Sequence, residues 1–291
     1  MTHKVAIVFD SSGTLMHTYR VAKDMERGGT LYDAVTLHLV SESQALVAID
    51  ISPDMLPNYP PAQVLPRFLS ENKIDINIGC ASDDITTADV RNMLKRNLGD
   101  ANASVSDLLD VVAAVRAKCK DVFYIGTGFV IDVLTGAIHY VVCSGGKLFD
   151  GAEATITKLA DCADPYIASG DSMRNLAILA DRLKIPQDHV VPVATPLIKE
   201  RLILDLKKTY DTVIMVGDEI NDLRAIRAAD VGVLTMQQCS DKLQKLCDSA
   251  DILIPDISSL PDVIREMGLS KSLTDCLTSR ASATSPRQKE F

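Results

Sequence analysis

Short apolar runs recur along this chain of 291 residues, and polar or turn-forming residues separate them. From about residue 150 onward, the runs alternate with stretches in which apolar residues recur at the spacing of an α-helix. The runs themselves are continuous, as in "TVIMVG" at 212–217, which is typical of strands buried on both faces. This half of the chain therefore predicts a parallel sheet covered by helices on both faces, a Rossmann-like α/β fold.

The region between the first apolar run, "KVAIVF" at 4–9, and residue 150 has a different pattern. The segment "FVIDVLTGAIHYVVC" predicts a β-hairpin that turns at Thr135-Gly136, and the proline-dense stretch 52–66 predicts a loop or rigid connector. We therefore expect a discontinuous organisation. Its predicted parts are an α/β core of residues 1–19 and 149–268, an inserted α+β domain of residues 20–148, and a flexible tail of residues 269–291.

Composition and charge restrict the class of protein. Hydrophobic residues make up 47% of the chain, which is enough for a substantial core, and the net charge of −9 argues against binding to nucleic acid or an anionic membrane. No apolar stretch reaches the roughly 20 residues of a spanning helix, so we expect no membrane insertion. The seven cysteines are an odd number without a CxxC pair, which favours a reducing cytoplasm over a disulfide framework or a zinc site.

A carboxylate ends the first apolar run, in "VFDSSGTL" at 8–15. Asp10 follows the predicted strand directly, and small polar residues and a glycine come after it. One interpretation is a plain transition from strand to turn. The other is a phosphate site in which Asp10 is the nucleophile, since aspartate is a known covalent nucleophile in phosphoryl transfer.

A second acidic group ends a later strand, in "TVIMVGDEIND" at 212–222. Asp218, Glu219 and Asp222 crowd together at the carboxyl end of this predicted strand, where open parallel sheets bind their ligands. Clustered carboxylates ionise more readily beside a cation, and Mg²⁺ prefers oxygen ligands. Acidic residues are also common at ordinary helix N-termini, so the cluster alone is compatible with both interpretations.

Two further residues are candidates with ordinary alternatives. Ser169 lies between a predicted strand and a predicted helix, where its side chain and the nearby amides could hold a phosphate oxygen or where it could be an ordinary N-cap serine. Lys199 lies near the start of a helix, where the helix dipole mildly disfavours a cation. A surface lysine is the alternative interpretation.

Taken in chain order, these segments resemble the motifs of the haloacid dehalogenase (HAD) superfamily. They are most similar to the phosphorylation domain of P-type ATPases and its soluble relatives. The resemblance covers residues 5–15 and about 150–255 and does not extend to the insertion. The matching residues are Asp10-Ser11-Ser12-Gly13-Thr14 for the motif DxTGT, Ser169-Gly170-Asp171 for TGD, Lys199 after Pro196 for the motif lysine, and Gly217 to Asp222 for GDGxND.

The resemblance implies a phosphohydrolase that uses Mg²⁺ and an aspartyl-phosphate on Asp10. It implies that Lys199 offsets the charge between Asp10 and the phosphate, and that the insertion is a cap over a small-molecule phosphate substrate, with nucleotides among the candidates. The phosphate-binding residues that it implies are Ser12, Thr14, Ser169, Gly170 and Asn221. The metal ligands that it implies are Asp10, Asp218, Asp222 and the backbone carbonyl of Ser12.

The sequence departs from the family pattern at Ser12 and Glu219. Most HAD phosphatases carry a second aspartate two positions after the nucleophile, as general acid and base, whereas P-type ATPases have threonine there. Because general acid–base catalysis is worth about 10²–10⁴-fold, Ser12 predicts slow turnover or a long-lived aspartyl-phosphate. Glu219 stands where the P-type pattern has glycine, and a carboxylate there could alter the choice of metal.

Two other functions are compatible with these residues. One is a soluble ATPase of the P-type kind, which phosphate release from ATP would distinguish from a metabolite phosphatase. The other is a regulatory or binding protein with a degenerate site, which the serine at position 12 favours and the presence of Asp10, Lys199, Asp218 and Asp222 disfavours.

Overall fold

The computed structural model describes most of the chain, and the predicted flexible tail lies outside the described residues. The described ranges are 3–35, 39–81, 85–99, 102–119, 122, 124–239 and 242–268. Their strands are β1 (Val5–Phe9), β2 (Met16–Asp24), β3 (Thr30–Tyr32), β4 (Gln44–Ile49), β5 (Ile76–Cys80), β6 (Tyr124–Asp132), β7 (Ile138–Leu148), β8 (Asp164–Ala168), β9 (Val190–Val191), β10 (Thr212–Gly217), β11 (Val231–Thr235) and β12 (Ile252–Ile254).

The α-helices of the described residues are short to medium in length. They are α1 (Leu65–Glu71), α2 (Thr87–Arg96), α3 (Val105–Lys118), α4 (Ala152–Leu159), α5 (Met173–Leu183), α6 (Pro196–Leu206), α7 (Leu223–Ala228), α8 (Gln244–Cys247) and α9 (Leu260–Glu266). Within the described ranges, none of them has the length and apolar character that crossing a membrane requires.

The chain divides into two compact units. The first comprises the described residues of 1–17, 148–169 and 179–291, and the second those of 18–147 and 170–178. The predicted domain bounds placed 170–178 in the core, whereas these residues group with the second unit. The role of the second unit as a cap stays a prediction.

The first unit is built on a six-stranded sheet in the order β12-β11-β10-β1-β8-β9. Every pairing in it is parallel, and β1 lies between β10 and β8. All residues of β1, β10 and β11 are buried, as expected for strands covered on both faces. The predicted parallel α/β fold is confirmed, and the first strand pairs with partners more than 150 residues later in the chain.

The second unit contains a six-stranded sheet in the order β3-β2-β7-β6-β4-β5. The predicted hairpin is confirmed, since β6 and β7 pair antiparallel and Gly136 in the turn has a φ of +78°, which favours glycine. The stretch 52–66, predicted as a loop or a rigid connector, is not a loop throughout. Residues Pro53–Asn58 form a 3₁₀ helix, and α1 begins at Leu65, because Leu56, Leu65 and Phe68 are buried in the hydrophobic core of this unit.

Candidate active site

Three neighbouring strands of the first unit end at candidate residues. Asp10 follows β1, Ser169 follows β8 and Asp218 follows β10. Because these parallel strands are adjacent, their carboxyl ends meet at one edge of the sheet, the edge at which open α/β sheets bind ligands. The backbone N–H of Asp10 donates to the carbonyl of Val216 at 2.9 Å, so the β1–β10 ladder continues up to Asp10.

The segment after Asp10 forms a tight turn. The N–H groups of Leu15 and Met16 both donate to the carbonyl of Ser11 at 2.9 Å, and Gly13 has a φ of +84°. A Cβ atom on Gly13 would lie 2.2 Å from Oδ2 of Asp218. Glycine therefore allows both the backbone conformation and the close approach of this turn to the carboxylate. The segment is thus a strand-to-turn transition that lies directly against an acidic side chain.

Lys199 connects two of the acidic residues. Its Nζ donates to Oδ1 of Asp10 at 2.5 Å and to Oδ1 of Asp222 at 2.6 Å, and its side chain is 0% exposed. The surface-lysine interpretation is therefore wrong. Burial by itself lowers the pKa of Lys199, but the two carboxylates outweigh burial and raise that pKa above its usual range. The amine is thus held as an ammonium group inside the protein.

The three acidic residues of 218–222 point in different directions. Asp222 is buried, and its Oδ2 accepts the backbone N–H groups of Asp218 at 3.1 Å and Glu219 at 3.3 Å, so it also serves as a helix N-terminal residue. Glu219 is exposed. Asp10, Asp218 and Asp222 each offer a carboxylate oxygen within 4.8 Å of the others, and among the described residues Glu219 does not belong to this cluster. Only two of the three clustered acidic residues therefore reach the site.

The environment of these carboxylates favours added positive charge. Burial raises the pKa of Asp10 well above its usual range; Lys199 opposes this increase, and Asp222 and Asp218 add to it. Burial likewise raises the pKa of Asp218 to about 7, with Asp222 and Glu219 adding to the increase and Lys242 opposing it. A cation beside these groups would relieve the cost of ionising them.

The donor set fits Mg²⁺. The atoms are carboxylate oxygens, which hard divalent cations prefer. Oδ1 of Asp218 is buried and has no hydrogen-bond partner in the described part of the chain, which is a costly arrangement unless another group binds it. Asp222 differs, because Lys199 and backbone amides already engage both of its oxygens. Asp10 and Asp218 are therefore the carboxylates best placed to bind an ion directly.

Ser169 and Thr14 lie in the buried part of this edge. The hydroxyl oxygens of Ser169 and Ser11 are 2.5 Å apart, which brings the end of β8 onto the turn after Asp10. Oγ1 of Thr14 is buried and has no partner among the described residues. These hydroxyl groups are suited to hold the oxygens of a phosphoryl group.

The other residues predicted to bind phosphate are Ser12, Gly170 and Asn221, and no side-chain contact of these residues with the acidic cluster is described. Ser12 is half-buried and forms a β-bridge with Met16, and the side chain of Asn221 is exposed. Gly170 follows Ser169 in the chain but groups with the second unit. Their implied roles in phosphate binding stay predictions.

Two further residues contact the site without having been predicted from the sequence, Gln237 and Lys242. Nε2 of Gln237 donates to the carbonyl of Thr14 at 2.5 Å, and its Oε1 accepts the N–H of Ile257 at 3.0 Å. Nζ of Lys242 donates to Oδ2 of Asp218 at 3.0 Å. Both residues lie between β11 and α8, in a segment without a recognisable motif, so no local signal indicated them.

Comparison with known families agrees with this geometry. The family model described as haloacid dehalogenase-like hydrolase matches residues 5–230, which include Asp10, Ser169, Lys199, Asp218 and Asp222. The chain belongs to this family. Because this family consists of hydrolases, the protein is an enzyme. The resemblance inferred from its motifs is confirmed.

Individual relatives of this HAD-like hydrolase include soluble and transport proteins. A "Soluble P-type ATPase-like phosphatase" of Methanocaldococcus jannaschii is 28% identical over 91% of this chain and 94% of its own length. A "Copper-transporting ATPase" of Helicobacter felis is 34% identical over 37% of this chain, which corresponds to 14% of the transporter. Among solved structures, the catalytic domain of the CPx-ATPase CopB-B aligns over 89% of this chain and 88% of its own, at 15% identity and a TM-score of 0.43.

Proposed function

We propose that the protein is a Mg²⁺-dependent phosphohydrolase that acts through an aspartyl-phosphate on Asp10. The observation that carries this proposal is the buried contact of the Lys199 ammonium with Asp10 and Asp222, beside Asp218. A buried ammonium group is costly unless carboxylates pair with it, and Asp10 and Asp222 provide that pairing. Hydrophobic packing alone would not favour a charged side chain at this position. The same arrangement provides a nucleophile, a fixed cation and oxygen ligands for a second cation.

The two oxygens of Asp10 differ in their contacts, and this difference supports Oδ2 as the attacking atom. Oδ1 accepts the hydrogen bond from Lys199, whereas Oδ2 has no hydrogen-bond donor within the described part of the chain. In the proposed first step, Oδ2 forms a bond to phosphorus while the bond from phosphorus to the leaving oxygen breaks. Lys199 holds Oδ1 and orients the carboxylate, and its charge favours the approach of an anionic phosphoryl group.

Asp10 and Asp218, with the backbone carbonyl of Ser12, would hold Mg²⁺ in this proposal. The ion, when bound, neutralises charge on the phosphoryl oxygens. Thr14 and Ser169 would donate hydrogen bonds to those oxygens through hydroxyl groups that are already buried at this edge of the sheet. Asp222 keeps Lys199 in position and anchors the backbone of Asp218.

We propose a small phosphate compound as substrate and the second unit as the cap that selects it. ATP belongs in any substrate panel, because the relatives of this chain include transport ATPases. The odd number of cysteines without a CxxC pair supports a cytoplasmic location.

The direct test of the proposed function is to trap the covalent intermediate. We expect that the protein, incubated with Mg²⁺ and a panel of phosphate esters that includes ATP and then quenched in acid, carries a phosphoryl group on Asp10. Tandem mass spectrometry after borohydride reduction of the acyl-phosphate locates the modified residue. The mechanism would be contradicted if phosphate were released while the reduced residue was not Asp10. It would also be contradicted if phosphate were released without any covalent intermediate.

Replacing Ser12 by aspartate should accelerate the second half of the reaction. A carboxylate two positions after the nucleophile can take the proton from the attacking water, so we expect aspartyl-phosphate in Ser12→Asp to decay about 10²-fold faster than in the native protein. The decay is followed in rapid-quench experiments. Ser12→Asn is the matched control, because its side chain has a similar size without acid or base strength. Equal decay in the two variants would mean that another group already activates the water.

A further inference from the structure

The site contains a second buried ammonium group. The side chain of Lys242 is 6% exposed, and its Nζ lies 3.0 Å from Oδ2 of Asp218, which is itself 1% exposed. Lys242 belongs neither to a strand nor to a helix, since it lies between β11 and α8. Nothing in the four motifs requires a lysine at this position.

The two buried lysines contact different carboxylates of the acidic cluster. Lys199 contacts Asp10 and Asp222, and Lys242 contacts Asp218, so each of the three buried carboxylates has an ammonium partner. Buried carboxylates without a partner are costly, and an ammonium group within hydrogen-bond distance offsets much of that cost. The described residues therefore provide the acidic cluster with counter-ions of its own.

Lys242 contacts Asp218, the carboxylate that binds Mg²⁺ in the proposed function. Oδ2 of Asp218 accepts the hydrogen bond from Lys242, while Oδ1 of the same carboxylate has no hydrogen-bond partner among the residues that the structure describes. A divalent cation on Oδ1 would lie close to the ammonium group in a region from which water is largely excluded. Like charges repel strongly there, so the ion must either displace Lys242 from Asp218 or bind against its repulsion.

We propose that Lys242 is a resident counter-ion of Asp218 that competes with Mg²⁺ and thereby sets the affinity of the site for the metal. This inference rests on the proposed function, because it takes Asp218 as a metal ligand. Lys242 keeps the acidic cluster stable before the ion binds and makes metal binding weaker and easier to reverse. Lys199 has a different role, since its partners are Asp10 and Asp222 and not Asp218.

The test is Mg²⁺ binding to the full-length protein, measured by isothermal titration calorimetry without substrate. We expect Lys242→Met, which keeps most of the side-chain volume and removes the charge, to bind Mg²⁺ at least about tenfold more tightly than the native protein. Lys242→Arg keeps the charge and should bind within about threefold of the native protein. Lys245→Met is the matched control, because Lys245 is exposed in the same part of the chain and its loss should leave the affinity unchanged.

A stability measurement gives a second readout that does not depend on activity. In EDTA, Lys242→Met should melt at a lower temperature than the native protein, because Asp218 loses its counter-ion, and saturating Mg²⁺ should raise its melting temperature by more than it raises that of the native protein. Lys242→Gln replaces Lys242→Met if the latter does not fold.

Two outcomes overturn the inference in different ways. Equal Mg²⁺ affinity in the native protein and in Lys242→Met would refute the competition and leave the proposed function intact. Absence of Mg²⁺ binding in both proteins would refute the metal site, and with it both the proposed function and the role of Lys242.

Discussion

The Asp10→Asn protein is expected to release phosphate at least about 10³-fold more slowly than the native protein, with any substrate that the native protein hydrolyses. The carboxamide keeps the size of the side chain and an oxygen that can accept the hydrogen bond from Lys199. It lacks the negative charge that the proposed mechanism requires at Oδ2, so we expect the bond to phosphorus not to form at a useful rate. The measurement is Mg²⁺-dependent phosphate release at saturating substrate.

Two controls separate chemistry from folding in this experiment. Asp262→Asn makes the same chemical change at a side chain that is 58% exposed in α9, and we expect it to retain full activity. The melting temperature of Asp10→Asn should remain close to the native value, because Lys199 keeps Asp222 as its partner. An Asp10→Asn protein that retains more than a few per cent of native activity would refute Asp10 as the nucleophile.

Replacement of Lys199 by methionine is expected to affect both stability and activity. The ammonium group is fully buried between Asp10 and Asp222, so its removal leaves two carboxylates close together without a counter-charge. Loss of one partner from a buried ion pair typically costs about 3–5 kcal/mol, and we expect the free energy of unfolding to fall by about this amount in EDTA. Activity should fall at least about 10²-fold, because Asp10 loses the group that orients it.

Urea unfolding in EDTA and in saturating Mg²⁺ measures the stability effect. We expect Mg²⁺ to restore part of the lost stability, since the ion supplies positive charge to the same carboxylates. Lys208→Met is the control, because the Lys208 side chain is 73% exposed and its ion pair with Asp205 is a surface pair of little energetic value. A Lys199→Met protein as stable as the native protein in EDTA would mean that the buried carboxylates are protonated and need no counter-ion.

Local patterns were sufficient for the elements that carry the motifs. The strands at 5–9 and 212–217 are continuous, fully buried runs, because a strand covered on both faces can expose no polar side chain to water. In the half of the chain after residue 150, helical spacing of apolar residues predicted helices between the strands, and the helix at 196–206 is one of them. In the second unit the pattern was weaker: β2 (16–24) is mostly half-buried and has no regular alternation, so it was not predicted.

The sequence pattern could not decide which of two adjacent carboxylates points into the site. Asp218 and Glu219 are adjacent carboxylates, but Asp218 is buried in the site and Glu219 is exposed. Glu219 has an extended backbone, with a φ of −128° and a ψ of 176°, and successive side chains of an extended chain point to opposite sides. Their direction depends on how the strand end is held against Asp222 and the turn at Gly13.

The sequence by itself determined the α/β class, the order of the motifs and the family, because each of these depends on residues that are close together in the chain. The tertiary structure alone decided which charges meet, because Lys199 joins Asp10 from 189 positions away and Lys242 reaches Asp218 from a segment without a motif. Contacts of that kind depend on parallel strand order and on the burial of paired charges, and neither leaves a local signal in the sequence.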